Sequence, residues 1–232
     1  MKHPRDRFRG RLIRRYKRFL ADVRLDDGRE LTVHCANPGA MTGLAAPGSR
    51  VLVTDSGDPR RKLPFSWELV RVPRTWVGVN TARSNAIAGE AIGRGTIAGL
   101  AGYDQRRAEV RYGEASRVDW LLERAGGERC WVEVKNATLA RDGVALFPDA
   151  VTARGLKHLD ELRAMVRRGD RAVMLFLINR EDCAVFRPAA AVDPDYARGL
   201  RQAARAGVEV LAYACRVRVP GIEVERPVPV EL

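Results

Sequence analysis

Residues 172–178 are seven consecutive apolar side chains, and this run constrains the fold more than any other feature of the chain. It is far shorter than the ~20 residues that a helix needs to cross a bilayer. A continuous apolar run of this length predicts a strand that is buried on both faces. Such a strand requires a sheet with helices packed on either side.

Two helices are predicted beside this strand. The first begins at a capping residue, either Asp149 or Thr152, and runs to about Arg168. It carries an apolar stripe at a spacing of three residues, formed by Leu156, Leu159, Leu162 and Met165. The second helix, residues 196–206, is rich in alanine and ends at Gly207.

Residues 81–232 together predict one α/β domain. A short helix is expected at residues 84–92, and the strands are expected at 108–112, 118–123, 130–135, 172–178 and 208–213. With the two helices above, this order predicts a mixed sheet flanked by helices.

Residues 1–80 predict a separate β domain. The alternating residues 19–25, the Asp-Asp-Gly turn at 26–28 and the returning segment 31–35 predict a hairpin. Further strands are predicted at 50–54 and 67–72. Several short strands on a basic chain favour a five-stranded barrel of the oligonucleotide-binding kind. The protein is therefore predicted to be a two-domain α/β protein.

The charge of the chain points to a polyanionic partner. The formal net charge is +12, and residues 1–18 hold nine basic side chains against one acid. A basic surface attracts nucleic acid because neutralising phosphates releases counterions. A solvated, soluble face is the alternative interpretation, and a membrane anchor is less favoured because the segment has no broad apolar face.

Arginine supplies almost all of the positive charge. The 41 basic residues include only five lysines, Lys2, Lys17, Lys62, Lys135 and Lys157. Lysine differs from arginine in that its ammonium is compact and can lose its proton. The five lysines are therefore candidates for sites that need those properties.

The cysteines and the termini predict a cytoplasmic protein. The four cysteines are scattered, with no C-x-x-C pair and no histidine at metal-ligand spacing, which argues against a structural zinc site. The basic N-terminus lacks the apolar stretch of a secretory signal. We expect no transmembrane helix and no membrane partner.

Three side chains on two adjoining strands are the candidate catalytic group. Residues two apart in a strand share a face, so Glu133 and Lys135 point the same way. A hairpin symmetric about Gly126 places Asp119 directly opposite Glu133. Two carboxylates this close repel each other, and a bound Mg²⁺ held by Asp119 and Glu133 would relieve the conflict. The alternative is an ordinary ion pair in which Lys135 neutralises one carboxylate.

The long helix adds polar candidates. Arg154, Lys157, His158 and Glu161 form a stripe that would overhang Glu133 and offer cations to phosphate. His158 could also be an ordinary surface residue. Glu90 on the short helix could supply a third carboxylate, with Glu114 and Glu123 as competitors.

Several sequence blocks together resemble the sugar fermentation stimulation protein family. They are spread from about residue 12 to the C-terminus: RYKRFLADV (15–23), HCANPGAMTG (34–43), RKLPFSWEL (61–69), VNT (79–81), SRVDWLL (116–122), WVEVKNATL (131–139) and FPDAVTARGLKHLDEL (147–162). The resemblance implies an N-terminal oligonucleotide-binding barrel, residues 1–80. It also implies a C-terminal domain, residues 81–232, similar to the PD-(D/E)-x-K nucleases.

The resemblance also implies roles for single residues. Asp119, Glu133 and Lys135 take the places of the metal-binding acids and the catalytic lysine, and Glu90 takes that of the acid on the helix. Phosphate contacts on the barrel would come from Arg15, Lys17, Arg18, Arg61 and Lys62. Asn37 could bond a nucleotide, although holding the turn before Pro38-Gly39 is favoured.

The leading hypothesis is a DNA-binding protein with a nuclease site that cuts DNA or RNA with Mg²⁺ or Mn²⁺. The resemblance adds a proposed role in regulating sugar metabolism. The alternative is a non-catalytic DNA-binding regulator on a nuclease-like scaffold, since a fold does not guarantee chemistry. A sugar-binding enzyme has only the family name in its favour.

Overall fold

The computed structural model describes residues 1–4, 6–73, 75–112 and 116–232. The first part is a barrel of the oligonucleotide-binding type, as predicted. Its strands are β1 (Arg7–Tyr16), β2 (Leu20–Leu25), β3 (Glu30–His34), β4 (Arg50–Asp55), β5 (Phe65–Arg71) and β6 (Trp76–Gly78). The order β3-β2-β1-β4-β5-β6 closes through a further pairing of β3 with β5.

The hairpin β2–β3 forms where the alternation predicted it, with Leu20 opposite His34 and Arg24 opposite Glu30. Strand β1 was not predicted, because the arginines of that segment masked its pattern. Arg9 and Arg11 are exposed while Gly10 and Leu12 are buried. The basic N-terminus is therefore a barrel strand with its charges on the outer face.

The second part holds the predicted mixed sheet. Its elements are α1 (Ser84–Gly93), β7 (Gln105–Tyr112), β8 (Ser116–Glu123), β9 (Arg129–Ala137), α2 (Ala153–Arg167), β12 (Arg171–Ile178), α3 (Pro194–Arg205), β14 (Glu209–Arg218) and β15 (Gly221–Pro227). The strand order is β15-β14-β12-β9-β8-β7. Strand β12 is parallel to both β9 and β14, and the outer pairs are antiparallel.

Strand β12 is buried on both faces, which confirms the interpretation of the apolar run. Met174 and Phe176 pack into the core under α2 and α3. Val173 and Leu175 pack into the opposite core, where α1 and barrel residues such as Leu69 cover the sheet. The barrel thus packs on the face that α2 and α3 leave open.

A small second sheet was not predicted. It consists of β10 (Leu139–Arg141), β11 (Val144–Phe147) and β13 (Val185–Pro188), in the order β10-β11-β13. β11 runs parallel to β13. This sheet leads directly into residues 148–152, which border the candidate site.

Barrel and sheet are joined by polar contacts at several points. Lys2 bridges to Gly221 of β15, and the Gly78 N–H donates to the Asn179 carbonyl at 2.9 Å. At the seam the buried Glu68 carboxylate accepts hydrogen bonds from Thr54 Oγ1 (2.8 Å), Asn80 Nδ2 (3.0 Å) and Arg83 Nη2 (2.6 Å). An acid buried this deeply is stable only when its oxygens are fully bonded.

In the part of the chain that the structure describes, none of the helices combines the length and the apolar character that crossing a membrane would require.

Candidate nuclease-type site

The site begins at the hairpin β8–β9. Trp120 lies opposite Val132 and Glu123 opposite Arg129, which is the register predicted from symmetry about Gly126. Next along β8, the Asp119 Oδ2 atom accepts the N–H of Val134 at 2.7 Å. The Asp119 carboxylate thus takes a hydrogen bond from β9 in place of a backbone carbonyl, and this bond holds Asp119 beside β9.

Glu133 lies at the centre of a buried charge cluster. Only 2% of its surface is exposed. Its Oε1 atom accepts the Lys135 ammonium at 2.8 Å and also meets His158 Nδ1. Its Oε2 atom is buried and has no hydrogen-bond partner among the residues that the structure describes. Lys135 and His158 therefore offset the burial of Oε1, whereas none of the described residues offsets the burial of Oε2.

His158 belongs to this cluster and is almost fully buried, which corrects its prediction as a cation for phosphate. Arg154 Nε donates to His158 Nε2 at 3.3 Å. Because that nitrogen accepts, the ring proton lies on Nδ1, which faces Glu133. The helical spacing of four residues brings Arg154 onto the same side of α2 as His158. His158 thus positions Glu133 from the helix.

The two carboxyl groups have opposite pKa shifts. Burial, followed by the nearby charge of Glu133, raises the pKa of Asp119 to about 7. Burial also acts to raise the pKa of Glu133, but the hydrogen bond from His158 and the charge of Lys135 outweigh it and leave the pKa lowered. Glu133 therefore stays ionised, while at Asp119 the charge of Lys135 is too weak to offset burial and the charge of Glu133.

These groups fit a hard divalent cation. The possible metal-binding atoms with too few hydrogen bonds or too little positive charge around them are oxygens. They belong to the Asp119 carboxyl, to Glu133 (Oε2) and to the buried amide of Asn85 (Oδ1). Mg²⁺ and Mn²⁺ prefer oxygen ligands, and Mg²⁺ is often held by only one or two carboxylates plus water. Within the described residues, no group of three or more His, Cys, Asp or Glu side chains is arranged to hold a metal. Protein ligands would thus come from Asp119 and Glu133.

Glu90 is not part of the site, contrary to its predicted role as the third acid. Its carboxylate pairs with the Met1 amino group and with Arg94, both at 2.7 Å. The reason is helical geometry. At 3.6 residues per turn, Glu90 points about 140° away from Asn85, the residue of α1 that contacts Asp119.

Glu109 on β7 lies beside Asp119, where Glu90 was expected as the third acid. It falls between the pairs Ala108–Trp120 and Val110–Val118, opposite Asp119. Asn85 Nδ2 links the two acids, donating to Glu109 Oε1 at 2.7 Å and to Asp119 Oδ1 at 3.0 Å. Of the competitors, Glu123 pairs with Arg107 at the far end of β8, and Glu114 lies outside the described residues.

Asp119 and Lys135 face a cleft between the two domains. The cavity measures about 450 Å³. On the barrel side it is lined by Arg18 and residues 37–39, and on the other side by Glu109, Asp119, Lys135, Asn136 and residues 147–152. A volume of this size suits one small ligand, such as a single nucleotide unit of a strand.

The barrel wall of the cleft is a rigid loop. Asn37 is buried, donates to the Val79 carbonyl at 3.1 Å and accepts the Gly39 N–H at 2.9 Å. Arg15 donates to four carbonyls of the same region, those of Arg18, Asn37, Gly39 and Ala40. Asn37 thus holds the turn, the role favoured from the sequence. Arg15 braces the loop through these bonds, and its phosphate contact stays a prediction.

The loop is also tied to the second domain. Asp149 Oδ2 accepts the Met41 N–H at 3.0 Å, across 108 positions of sequence. Gly39 lies so close to this carboxylate that a Cβ atom there would collide with both oxygens. Asp149 therefore clamps the barrel loop, and Thr152 alone caps α2 by accepting the Gly155 N–H at 3.0 Å.

Comparison with known proteins identifies the family. The model described as the SfsA N-terminal OB domain matches residues 13–79, and the model described as the Sugar fermentation stimulation protein RE domain matches residues 82–221. The chain belongs to the sugar fermentation stimulation protein family.

Relatives in this family match along nearly the whole chain. The Sugar fermentation stimulation protein homolog of Citrifermentans bemidjiense is 56% identical over 232 residues, which is 100% of both chains. That of Paramagnetospirillum magneticum is 56% identical over 224 residues, covering 97% of this chain and 95% of its own. A solved structure of SfsA from Pyrococcus furiosus in complex with Ca²⁺ superposes with a TM-score of 0.91, at 27% identity, over 100% of both chains.

The remaining predicted nucleic-acid contacts divide into two groups. Arg18 lines the cleft, and Lys17 precedes it in the exposed β1–β2 turn. Arg61 and Lys62 are exposed in the β4–β5 loop, and Arg154 and Lys157 are on α2, outside the lining of the cleft. Only Arg18 of these six is placed directly at the site.

Sequence reasoning missed three residues of the site, Asn85, Glu109 and Asn136. Asn85 bridges two acids, Glu109 lines the cleft, and Asn136 lies on its floor next to Lys135. Asn136 had the only local signal, its place directly after the E-x-K pattern. Asn85 and Glu109 depend on contacts between distant elements, which spacing does not encode.

We predict that Asp119 lowers stability as the pH rises. Its pKa is about 7 in the folded protein, compared with 3.8 ordinarily. A raised folded-state pKa stabilises the protein fully below pH ~4 and loses that contribution as the pH rises through ~7. In EDTA, the melting temperature of Asp119→Asn minus that of the parent should therefore increase between pH 5 and pH 8. Parallel curves for the two proteins would contradict this shift.

Proposed function

We propose that this protein is a divalent-metal-dependent phosphodiesterase that cuts nucleic acid in the cleft between its barrel and its sheet. The observation that carries the proposal is the convergence of Asp119, Glu133 and Lys135, with one carboxyl short of positive charge. Acids facing a phosphate backbone repel it unless a cation intervenes. The Ca²⁺ in the solved SfsA structure from Pyrococcus furiosus supports a cation in this family.

Each residue has a defined part in this proposal. A divalent ion held by Asp119 and Glu133 would supply Lewis acidity toward the phosphate and a more acidic bound water. Lys135 lies on the cleft wall, where its ammonium stabilises the negative charge that develops during cleavage. His158 fixes the orientation of Glu133, and Asn85 fixes that of Asp119. Arg18 binds phosphate from the opposite wall.

The charge of the molecule supports a nucleic-acid substrate. The net charge of +12 favours polyanions. Exposed basic side chains away from the lining of the cleft add to the positive surface: Lys17, Arg61, Lys62, Arg154 and Lys157. DNA is the proposed substrate, with RNA as the alternative.

A second candidate function is DNA binding without cleavage, for example by a regulator of sugar metabolism. The observation in its favour is that Glu133 is already ion-paired with Lys135 at 2.8 Å. In this arrangement the cluster is stable with a proton on Asp119 in place of a metal ion.

Cleavage assays with defined metals distinguish the two functions. End-labelled single-stranded DNA, duplex DNA and single-stranded RNA of one sequence would be incubated with Mg²⁺, Mn²⁺, Ca²⁺ or EDTA. The phosphodiesterase is expected to cut at least one substrate with Mg²⁺ or Mn²⁺ and none in EDTA. Tight binding with no cutting under any metal would establish the non-catalytic function instead.

A further inference from the structure

An aromatic side chain is exposed beside the cleft. Among the described residues the exposed large apolar side chains are Phe19 (42%), Val151 (78%) and Leu232 (43%). Val151 lines the cleft, and Phe19 follows Arg18, which lines it from the barrel side. A single exposed apolar side chain is ordinary by itself, so the groups around Phe19 decide whether it belongs to a binding surface. Phe19 contributes nothing to the barrel core that would otherwise explain it.

Phe19 has a second aromatic ring beside it. Its ring lies 6.4 Å from the His34 ring, centroid to centroid, with an interplanar angle of 34°. Burial, with a smaller effect of the nearby Arg61 charge, lowers the pKa of His34. At neutral pH His34 is thus an uncharged aromatic ring that extends the surface of Phe19.

Cations border this pair of rings. The Arg18 guanidinium carbon lies over the Phe19 ring, 5.5 Å from its centre, so one face of this ring already carries a cation. Arg18 Nε also donates to the Pro38 carbonyl at 2.9 Å, which fixes the guanidinium at the cleft wall. Arg61 lies near enough to His34 for its charge to help lower the pKa of that ring. An aromatic surface between cations suits a nucleotide, with its base on the rings and its phosphate at the arginine.

We infer that Phe19 and His34 form a stacking platform for an unpaired nucleobase, with Arg18 binding the adjoining phosphate and directing the strand into the cleft. This inference rests on the proposed function and narrows its substrate to single-stranded or frayed nucleic acid. A base inside a duplex is already stacked on both faces, so its rings are not available to Phe19. The β1–β2 turn of this barrel type is a common place for such contacts.

Binding measured in EDTA tests the platform without any need for cleavage. Fluorescence anisotropy would compare a labelled single-stranded oligonucleotide with a duplex of the same sequence. Phe19→Ala is expected to weaken single-strand binding by about 5- to 150-fold, the range for one stacked base. Duplex binding should change less than about twofold, because no unpaired base reaches the platform. Phe19→Trp should bind the single strand as well as the parent does, with quenching of its indole fluorescence.

The matched control is Leu232→Ala, which removes another exposed apolar side chain away from the cleft and should alter neither affinity. Equal single-strand affinity of Phe19→Ala and the parent overturns the platform, even if the parent cuts DNA. An equal loss for single strand and duplex also overturns it, because a phosphate contact would then explain the effect. Failure of the parent to bind single strands overturns it as well. A selective loss supports the platform even if no cleavage is found.

Discussion

Asp119→Asn and Lys135→Ala are each expected to lower metal-dependent cleavage by at least about 100-fold while nucleic-acid binding is retained. The amide of Asp119→Asn would keep the shape of the site but would lose the charge that holds a cation. Lys135→Ala removes the ammonium from the cleft wall. Initial rates on end-labelled DNA in Mg²⁺ or Mn²⁺, together with affinities in EDTA, measure the two effects separately.

Asp119→Asn is the sharper variant because the fold should tolerate it. At pH 7 and without metal the carboxyl is only partly ionised, so an amide removes only part of one negative charge. Its oxygen can still accept the Val134 N–H, and its NH₂ group can donate to Glu109 or to the unpartnered Asn85 Oδ1. The matched control is Asp160→Asn on the exposed side of α2. Full cleavage by Asp119→Asn would refute the assigned site.

Gly39→Ala is expected to open the clamp between the domains and to destabilise the protein by about 1–3 kcal/mol, the usual cost of overpacking. The added Cβ would collide with the Asp149 carboxylate, which cannot retreat without releasing the Met41 N–H. The free energy of unfolding from urea titrations measures the loss. The affinity for DNA in EDTA shows whether the cleft wall has moved.

The control for Gly39→Ala is Gly126→Ala, since a Cβ atom at that hairpin position meets nothing within 4 Å. A double-mutant cycle with Asp149→Ala then assigns the cause. If the collision is responsible, Gly39→Ala should cost much less in the Asp149→Ala background. Additive losses would show that Gly39 acts through its own backbone conformation and leave the clamp without support.

Many elements of this fold could be predicted from local pattern, although β1 and the small sheet of β10, β11 and β13 could not. The period of two in β2 and β3 and the apolar run of β12 each correspond to an observed element. The hairpin β8–β9 could be predicted to the residue, because a short turn fixes the register of both strands. Asp119, Glu133 and Lys135 followed from that register.

The parts that could not be predicted depend on how elements meet. Glu90 and Glu109 are equally plausible acids in sequence, and only the packing of α1 and β7 decides between them. Arg15 looks like a free cation until the loop that it braces folds beside it. His158 was expected on a polar surface, but α2 turns that face onto Glu133. Contacts between the domains, such as that of Asp149 with Met41, leave no periodic signal.

The buried Glu68 at the seam has a consequence for substrate choice. Its carboxylate accepts hydrogen bonds from Thr54 and Asn80 of the barrel domain and from Arg83 of the segment leading into α1, so separating the two halves would break the ion pair with Arg83. These contacts favour a cleft of fixed width over one that closes around its ligand. For a protein of the proposed function, the nucleic acid would then have to deform in order to enter the cleft. Ends, gaps and easily melted steps would be favoured over stiff helix because they deform at lower cost.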